Sequence, residues 1–296
     1  MLWIFISAAS YFLTAVTSIT DKFLVSRRMP SPAVFSFFVG ILSITALVLA
    51  PFGFFLPPTG IILTAFLSGF LFLSSLFCFY SALNKNEASR IATIAGVMTP
   101  IFSLTLGYFI FGEKLNEKEL IAFAILLIGG ILISAEKEGF SWKIKGFWFV
   151  LLSVLFLASS FAAAKLVYLN QPFINGYIWT RIGIFLAAFL LIIPRRVRRL
   201  VFETGKNAGA RTGAILIGNK ALGGLALILL NYSFTLTSIG LVNALQGLQY
   251  SFLFILALIL SHKFPHILKE ETRKRSVIQK VIAIIIIAVG LGVLAL

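Results

Sequence analysis

Ten apolar segments alternate with short hydrophilic connections along the chain, near residues 2–19, 33–56, 61–83, 91–111, 120–134, 147–164, 177–193, 212–235, 244–260 and 281–296. A helix needs roughly 20 apolar residues to cross the hydrocarbon of a bilayer, so the pattern predicts ten transmembrane helices, several of them short. A cut near Lys145 exposes a repeat: 22–40 lies against 165–183 without a gap, 80–102 against 232–254, and 121–129 against 282–290. Each half, 1–145 and 146–296, holds five spans. Five is odd, so the halves enter the membrane with opposite orientation. The expected fold is an all-α membrane protein built from two inverted five-helix repeats, an arrangement common in secondary transporters.

Composition removes the soluble alternative. The 296 residues are 59% hydrophobic and 12% charged, with a mean hydropathy of +1.03, whereas soluble domains are about half apolar and carry about twice that charge. Lipid is the solvent this surface requires. The first span is read as a helix rather than a signal peptide, because nothing basic precedes it and no small-residue cleavage site follows before Asp21. The lone cysteine, Cys78, excludes an intrachain disulfide.

The formal charge of +15 would suggest nucleic acid only if it formed a stripe on a folded surface. Here it gathers in the loops after odd-numbered helices: Lys22, Arg27, Arg28, Lys85, Arg90, the Arg195-Arg196 and Arg198-Arg199 pairs, and a cluster over 263–280. The opposite side has little beyond Lys114 and Lys118, offset by Glu113, Glu117 and Glu119. No nucleic-acid partner is expected. The positive-inside rule makes the crowded side cytoplasmic, in a plasma (inner) membrane, and places both termini outside. The basic loops then meet anionic headgroups. The longest hydrophilic stretches, 195–211 and 262–280, are too short for a soluble domain.

Local signals shape individual spans. Pro51, Pro57 and Pro58 close the second, and Asn170-Gln171-Pro172 turns the chain before the seventh. Pro100 lies inside the fourth, where it removes a backbone hydrogen bond and favours a kink. Gly96 and Ser103 share its face, which makes the three a candidate hinge or packing surface. Gly130 and Ser134 in the fifth span, like Ala288 and Gly292 in the tenth, have the spacing of close helix contacts.

The motifs of the first half form an ordered series: Tyr80-Ser81-Ala82-Leu83, Glu87-Ala88-Ser89, Pro100 in a small-residue helix, Phe111-Gly112-Glu113-Lys114-Leu115, then Gly129-Gly130. In that order and spacing they resemble the EamA-type repeat of the drug/metabolite transporter superfamily, and the second half resembles it more loosely. The resemblance implies a ten-helix bundle around a central cavity, formed mainly by helices other than the fifth and tenth. It also implies export or exchange of small organic metabolites, and not enzymatic turnover. Two departures stand out: Ser261-His262-Lys263-Phe264 occupies the place of Gly112 to Leu115, and Phe252 that of Pro100. Family members are commonly drawn with cytoplasmic termini, opposite to the charge distribution here.

Candidate substrate-binding residues lie in the second half. Lys220 interrupts the eighth span, where an ionisable group is costly unless it faces a cavity or partner. Asn231 stands eleven residues on, near the same face. Asn243, Gln246 and Tyr250 form a polar stripe in the ninth span, with Gln249 beside it. Such amides either bind a polar solute or join helices. Trp179 and Arg181 open the seventh span, at a depth where tryptophan and snorkelling arginine are common. Lys220 and Arg181 together would favour an anionic group on the substrate.

No cofactor is expected. His262, His266 and Glu270 have helical metal-ligand spacing, but Pro265 intervenes and the surroundings are basic. No nucleophile elbow, phosphate loop or zincin motif is present in the sequence. The leading expectation is a secondary active transporter of a small polar organic metabolite (an amino acid, a related metabolite or an organic anion). A coupling proton or ion is left open. Two alternatives remain: an intramembrane enzyme or flippase acting on a lipid-linked substrate through Lys220 and the histidines, and a membrane scaffold.

Overall fold

The computed structural model describes residues 1–28, 31–85, 88–134, 146–206, 210–261 and 274–295. Among these the regular elements are all helical. Their order is α1 (Leu2–Arg28), α2 (Pro32–Leu42) continued by a 3-10 helix (Ser43–Phe52), α3 (Thr59–Leu83), α4 (Ala88–Phe111), α5 (Glu117–Ser134) and α6 (Phe147–Asn170). There follow α7 (Phe173–Leu191), α8 (Arg195–Lys206), α9 (Ala210–Leu236), α10 (Ile239–Ala244), α11 (Gln246–Ser261) and α12 (Lys274–Ala295).

Among the described residues, eight stretches are long and apolar enough to cross a membrane, with α10 and α11 counted as one. Helix α5, which carries Glu117, Lys118 and Glu119 in its first turn, is not among them. Large side chains such as Phe5, Phe109 and Ile285 are exposed, as suits a surface in contact with lipid. This is a multi-pass membrane protein.

Capping residues explain several boundaries. Ser31 caps α2 by accepting a hydrogen bond from the Val34 amide at 3.3 Å, with Pro32 at the first helical position. Asn116 and Glu119 bond each other's backbone amides at 2.9 Å, the reciprocal cap that starts α5. The end of α4 is a glycine cap. Gly112 has φ +66°, its amide donates to the Tyr108 carbonyl at 3.0 Å, and that of Glu113 reaches back to Gly107 at 3.2 Å. This pattern reverses the chain and folds Glu113 over the last turn of α4.

The ninth predicted span starts earlier than expected and is broken. Ser238 caps α10, the helix pauses at Leu245 and resumes as α11. The hydrophilic stretch after α7, expected to be a loop, contains α8. Val197, Leu200 and Val201 lie on one face of α8 and pack against a cluster with Val34, Phe37 and Ile184, while its four arginines are exposed.

Helix pairing positions the site. Helix α3 lies along α6 and α7, α1 along α9 and α11, α4 along α6 and α10, and α5 along α12. At the α3–α7 crossing a Cβ on Gly183 would lie 2.7 Å from the Ala65 carbonyl oxygen, and one on Gly69 would meet the Gly183 backbone. Only glycine permits that approach. Of the small residues expected between α5 and α12, Gly130 lies near Gly247 of α11, whereas a Cβ on Gly292 would meet nothing within 4 Å. Gly129 and Gly290 make the close α5–α12 contacts instead, against Ile287 and Leu126. Phe234, Ile239, Leu241 and Leu245 fill the largest core cluster, where the Tyr11 hydroxyl donates to the Val242 carbonyl at 2.9 Å.

Candidate functional site

The glycine crossing brings α3 against α7 beside α6, and a polar cavity opens where these three meet α9. Ser68 and Phe72 come from the first half, while Ser160, Tyr168, Arg181 and Asn231 are contributed by the second. The gap totals about 250 Å³, but the space a solute could enter without displacing atoms is about one water molecule in size.

Nearly every polar group there is engaged. The Ser68 hydroxyl donates to the Ser160 carbonyl at 3.0 Å, and the Ser160 hydroxyl to the Ser68 carbonyl at 2.9 Å. Tyr168 donates to Asn231 Oδ1 at 2.9 Å, while Asn231 Nδ2 donates to the Leu227 carbonyl at 2.7 Å. Thr180 bonds the Tyr177 carbonyl at 2.7 Å. Arg181 differs. It is only 7% exposed, its Nε has no hydrogen-bond partner, and its guanidinium lies 4.4 Å from the centre of the Tyr177 ring and 5.8 Å from that of Phe72. Among the described residues, no carboxylate lines the cavity.

A second polar cluster joins the halves nearby. Glu113, turned back by the glycine cap, meets Lys165 of α6: Nζ donates to Oε1 at 2.6 Å and to the Thr237 carbonyl at 2.6 Å. The side chains are 8% and 14% exposed for Lys165 and Glu113. Glu113 Oε2 is buried without a partner. A Cβ on Gly107 would strike that carboxylate, so Gly107, Gly112 and Glu113 act as one unit. Sequence reasoning read Lys165 only as the start of a repeat match and missed this contact. The signal available was the same one that singled out Lys220, a cation within an apolar helix.

The expected substrate residues fall in separate places. Only Arg181 and Asn231 line the cavity, and the amide of Asn231 is committed to its neighbours. Trp179 pins the loop before α3, its indole N–H donating to the Phe55 carbonyl at 2.9 Å and its ring stacking on Phe54 at 5.5 Å. Asn175 holds the same loop by accepting from the Phe55 amide at 3.0 Å. Lys220 sits over the Phe35 ring at 5.4 Å and is absent from the cavity wall. Asn243 donates to Ser103 at 2.9 Å and ties α10 to α4. Gln246 Nε2 lies 3.4 Å from the Tyr250 hydroxyl, whose ring approaches Gly96. Pro100 is buried within α4. His262, His266 and Glu270 lie outside the described residues; among those described, no cluster of metal-ligating side chains occurs.

Comparison with known proteins now assigns the architecture. Residues 1–135 match the model of the EamA-like transporter family. That family falls within the drug/metabolite transporter superfamily, and the match shows a likeness to it over the first half of the chain. No curated protein matches the sequence. A solved crystal structure, 16% identical, aligns over 99% of this chain and 94% of its own with a TM-score of 0.65, a likeness of fold. The EamA match includes the Gly107 to Glu113 unit and Ser68. It ends before Lys165, Arg181 and Asn231, so the charged wall of the cavity lies outside the EamA-matched segment.

Proposed function

We propose that the chain is a secondary transporter that moves a small polar organic metabolite, an amino acid, related metabolite or organic anion, across the plasma (inner) membrane by alternating access. Export or exchange is the favoured mode. The observation that carries this reading is the small polar cavity, lined from both halves of the chain and including a buried cation. Polar groups at membrane depth are costly and mark solute pathways.

Helix pairing supports two five-helix repeats, 1–145 and 146–296, with α5 and α9 joining the eight apolar crossings to make ten. In the first half α1 packs on α9 and α11; reciprocally, α6 of the second half packs on α3 and α4. Exchanging the halves exchanges these pairs, and α5 with α12 maps onto itself. In the repeat register Ser68 corresponds to Lys220, and both stand on the helices that make these reciprocal contacts. Two halves related in this way can rock about a site between them.

The Glu113–Lys165 pair and the Trp179–Phe55 contact close the face that bears few charges. For that face to open, the pair parts. The mirror position has no carboxylate, since the His262-Lys263 region stands in place of Glu113 and Lys22 in place of Lys165. Charge bias makes the face that bears few charges external, with both termini on it.

The test is solute counterflow into proteoliposomes of the purified chain across amino acids, carboxylates, sugars and organic phosphates. Accumulation of a labelled solute, driven only by unlabelled solute inside, is expected. Absence of counterflow and of solute-induced stabilisation across the whole panel would contradict it. Product formation in detergent without vesicles would establish the enzyme alternative.

A further inference from the structure

We propose that the cavity is a seat for a single carboxylate, held by Arg181, so that the transported solute is a small organic acid or amino acid rather than a sugar or a phosphate ester. The inference rests on the transport reading above and names the chemistry of the same site. Arg181 is buried among α3, α6 and α7 with its Nε unpartnered, and every other hydrogen bond described around it is between protein groups. A guanidinium at this depth lacks the one thing its chemistry demands, an anion. None of the cavity residues supplies one.

Geometry and charge select the class. The Tyr177 ring 4.4 Å from the guanidinium carbon holds it against an aromatic face, and Phe72 lies on the cavity wall at 5.8 Å. A guanidinium so held presents a planar fork, which matches the two oxygens of a carboxylate. The cavity wall has one cation. One cation neutralises a monoanion, whereas a phosphate ester near charge −2 would keep an uncompensated charge in a low-dielectric site. The remaining wall, apolar at Phe161, Ala164 and Ile184 and hydroxylic at Ser68 and Ser160, suits a short carbon skeleton with few polar substituents. Because the space is now about one water in size, binding requires the site to widen as the halves rock.

The probes are lactate, pyruvate and alanine, each paired with the primary amide that lacks its carboxylate charge, together with methyl phosphate and a neutral sugar. Stabilisation of the full chain in detergent and counterflow in proteoliposomes are read for wild type, R181K and R181Q. A carboxylate is expected to stabilise and exchange at least tenfold more effectively than its amide. R181Q should lose that preference, and R181K should keep part of it. The proposal is overturned if acid and amide act equally, if R181Q retains the wild-type preference, or if methyl phosphate or the sugar is the better ligand. In those cases counterflow of any solute leaves the transport reading standing. A folded chain that neither exchanges nor responds to any probe sinks both.

Discussion

Lys165 and Glu113 lie 52 positions apart in the chain and meet at 2.6 Å. Two buried ions are stabilising only as partners, because removing one strands the other in a low-dielectric site. E113Q or K165M alone is expected to cost about 3–5 kcal/mol, read as loss of thermal stability in detergent. The double variant with apolar residues at both positions should recover most of it. A double variant whose loss equals the sum of the two single losses would show that the charges do not interact. The same physics explains what was legible in the sequence at this scale. Arg181 could be picked out because a cation in an apolar run has few explanations. Its cavity neighbours Tyr168, Ser68 and Ser160 could not, because hydroxyls occur throughout membrane helices and only the fold says which ones converge. Trp179 and Asn243 both stood as candidate substrate contacts, yet one pins a loop and the other joins two helices.

Elements depend on close backbone approach and on amphipathic faces. The α3–α7 crossing leaves no room for a methyl group at Gly183, so G183A should cost about 1–3 kcal/mol through overpacking and reduce transport as the cavity wall shifts. A Gly292→Ala change, at a position with open space around it, is the control expected to leave stability unchanged. Thermal denaturation of the two variants side by side distinguishes them. Helix α8 makes a different prediction. Its arginines at 195, 196, 198 and 199 are exposed while Val201 is buried, so it lies against the bundle with its basic face outward. Replacing the four with glutamine should abolish extra stabilisation by anionic lipid, at about 1 kcal/mol per charge, and leave stability in neutral lipid unaltered. Hydropathy averaging hid α8 because its arginines dominate any window. The i, i+3, i+4 spacing of Val197, Leu200 and Val201 was the signal that could have found it. The break at Leu245 left no such trace, since no proline or glycine marks it.

At the scale of the molecule, the helical class could be read from hydrophobic periodicity alone, because each helix must satisfy its own backbone in lipid. Which helices face one another could not, since packing between apolar helices depends on shape and small residues more than on composition. The central claim is that the halves rock about the Arg181 cavity and that the Glu113–Lys165 pair holds one face shut. Spin-label distances across both faces measure this directly, after Cys78→Ser, with labels at Lys118 and Asn170 for one face and at Asn84 and Arg196 for the other, all exposed. With both charges of the pair removed, the account predicts that the first distance lengthens and the second shortens in the same sample. Both distances unchanged, or both moving in the same direction, would contradict it.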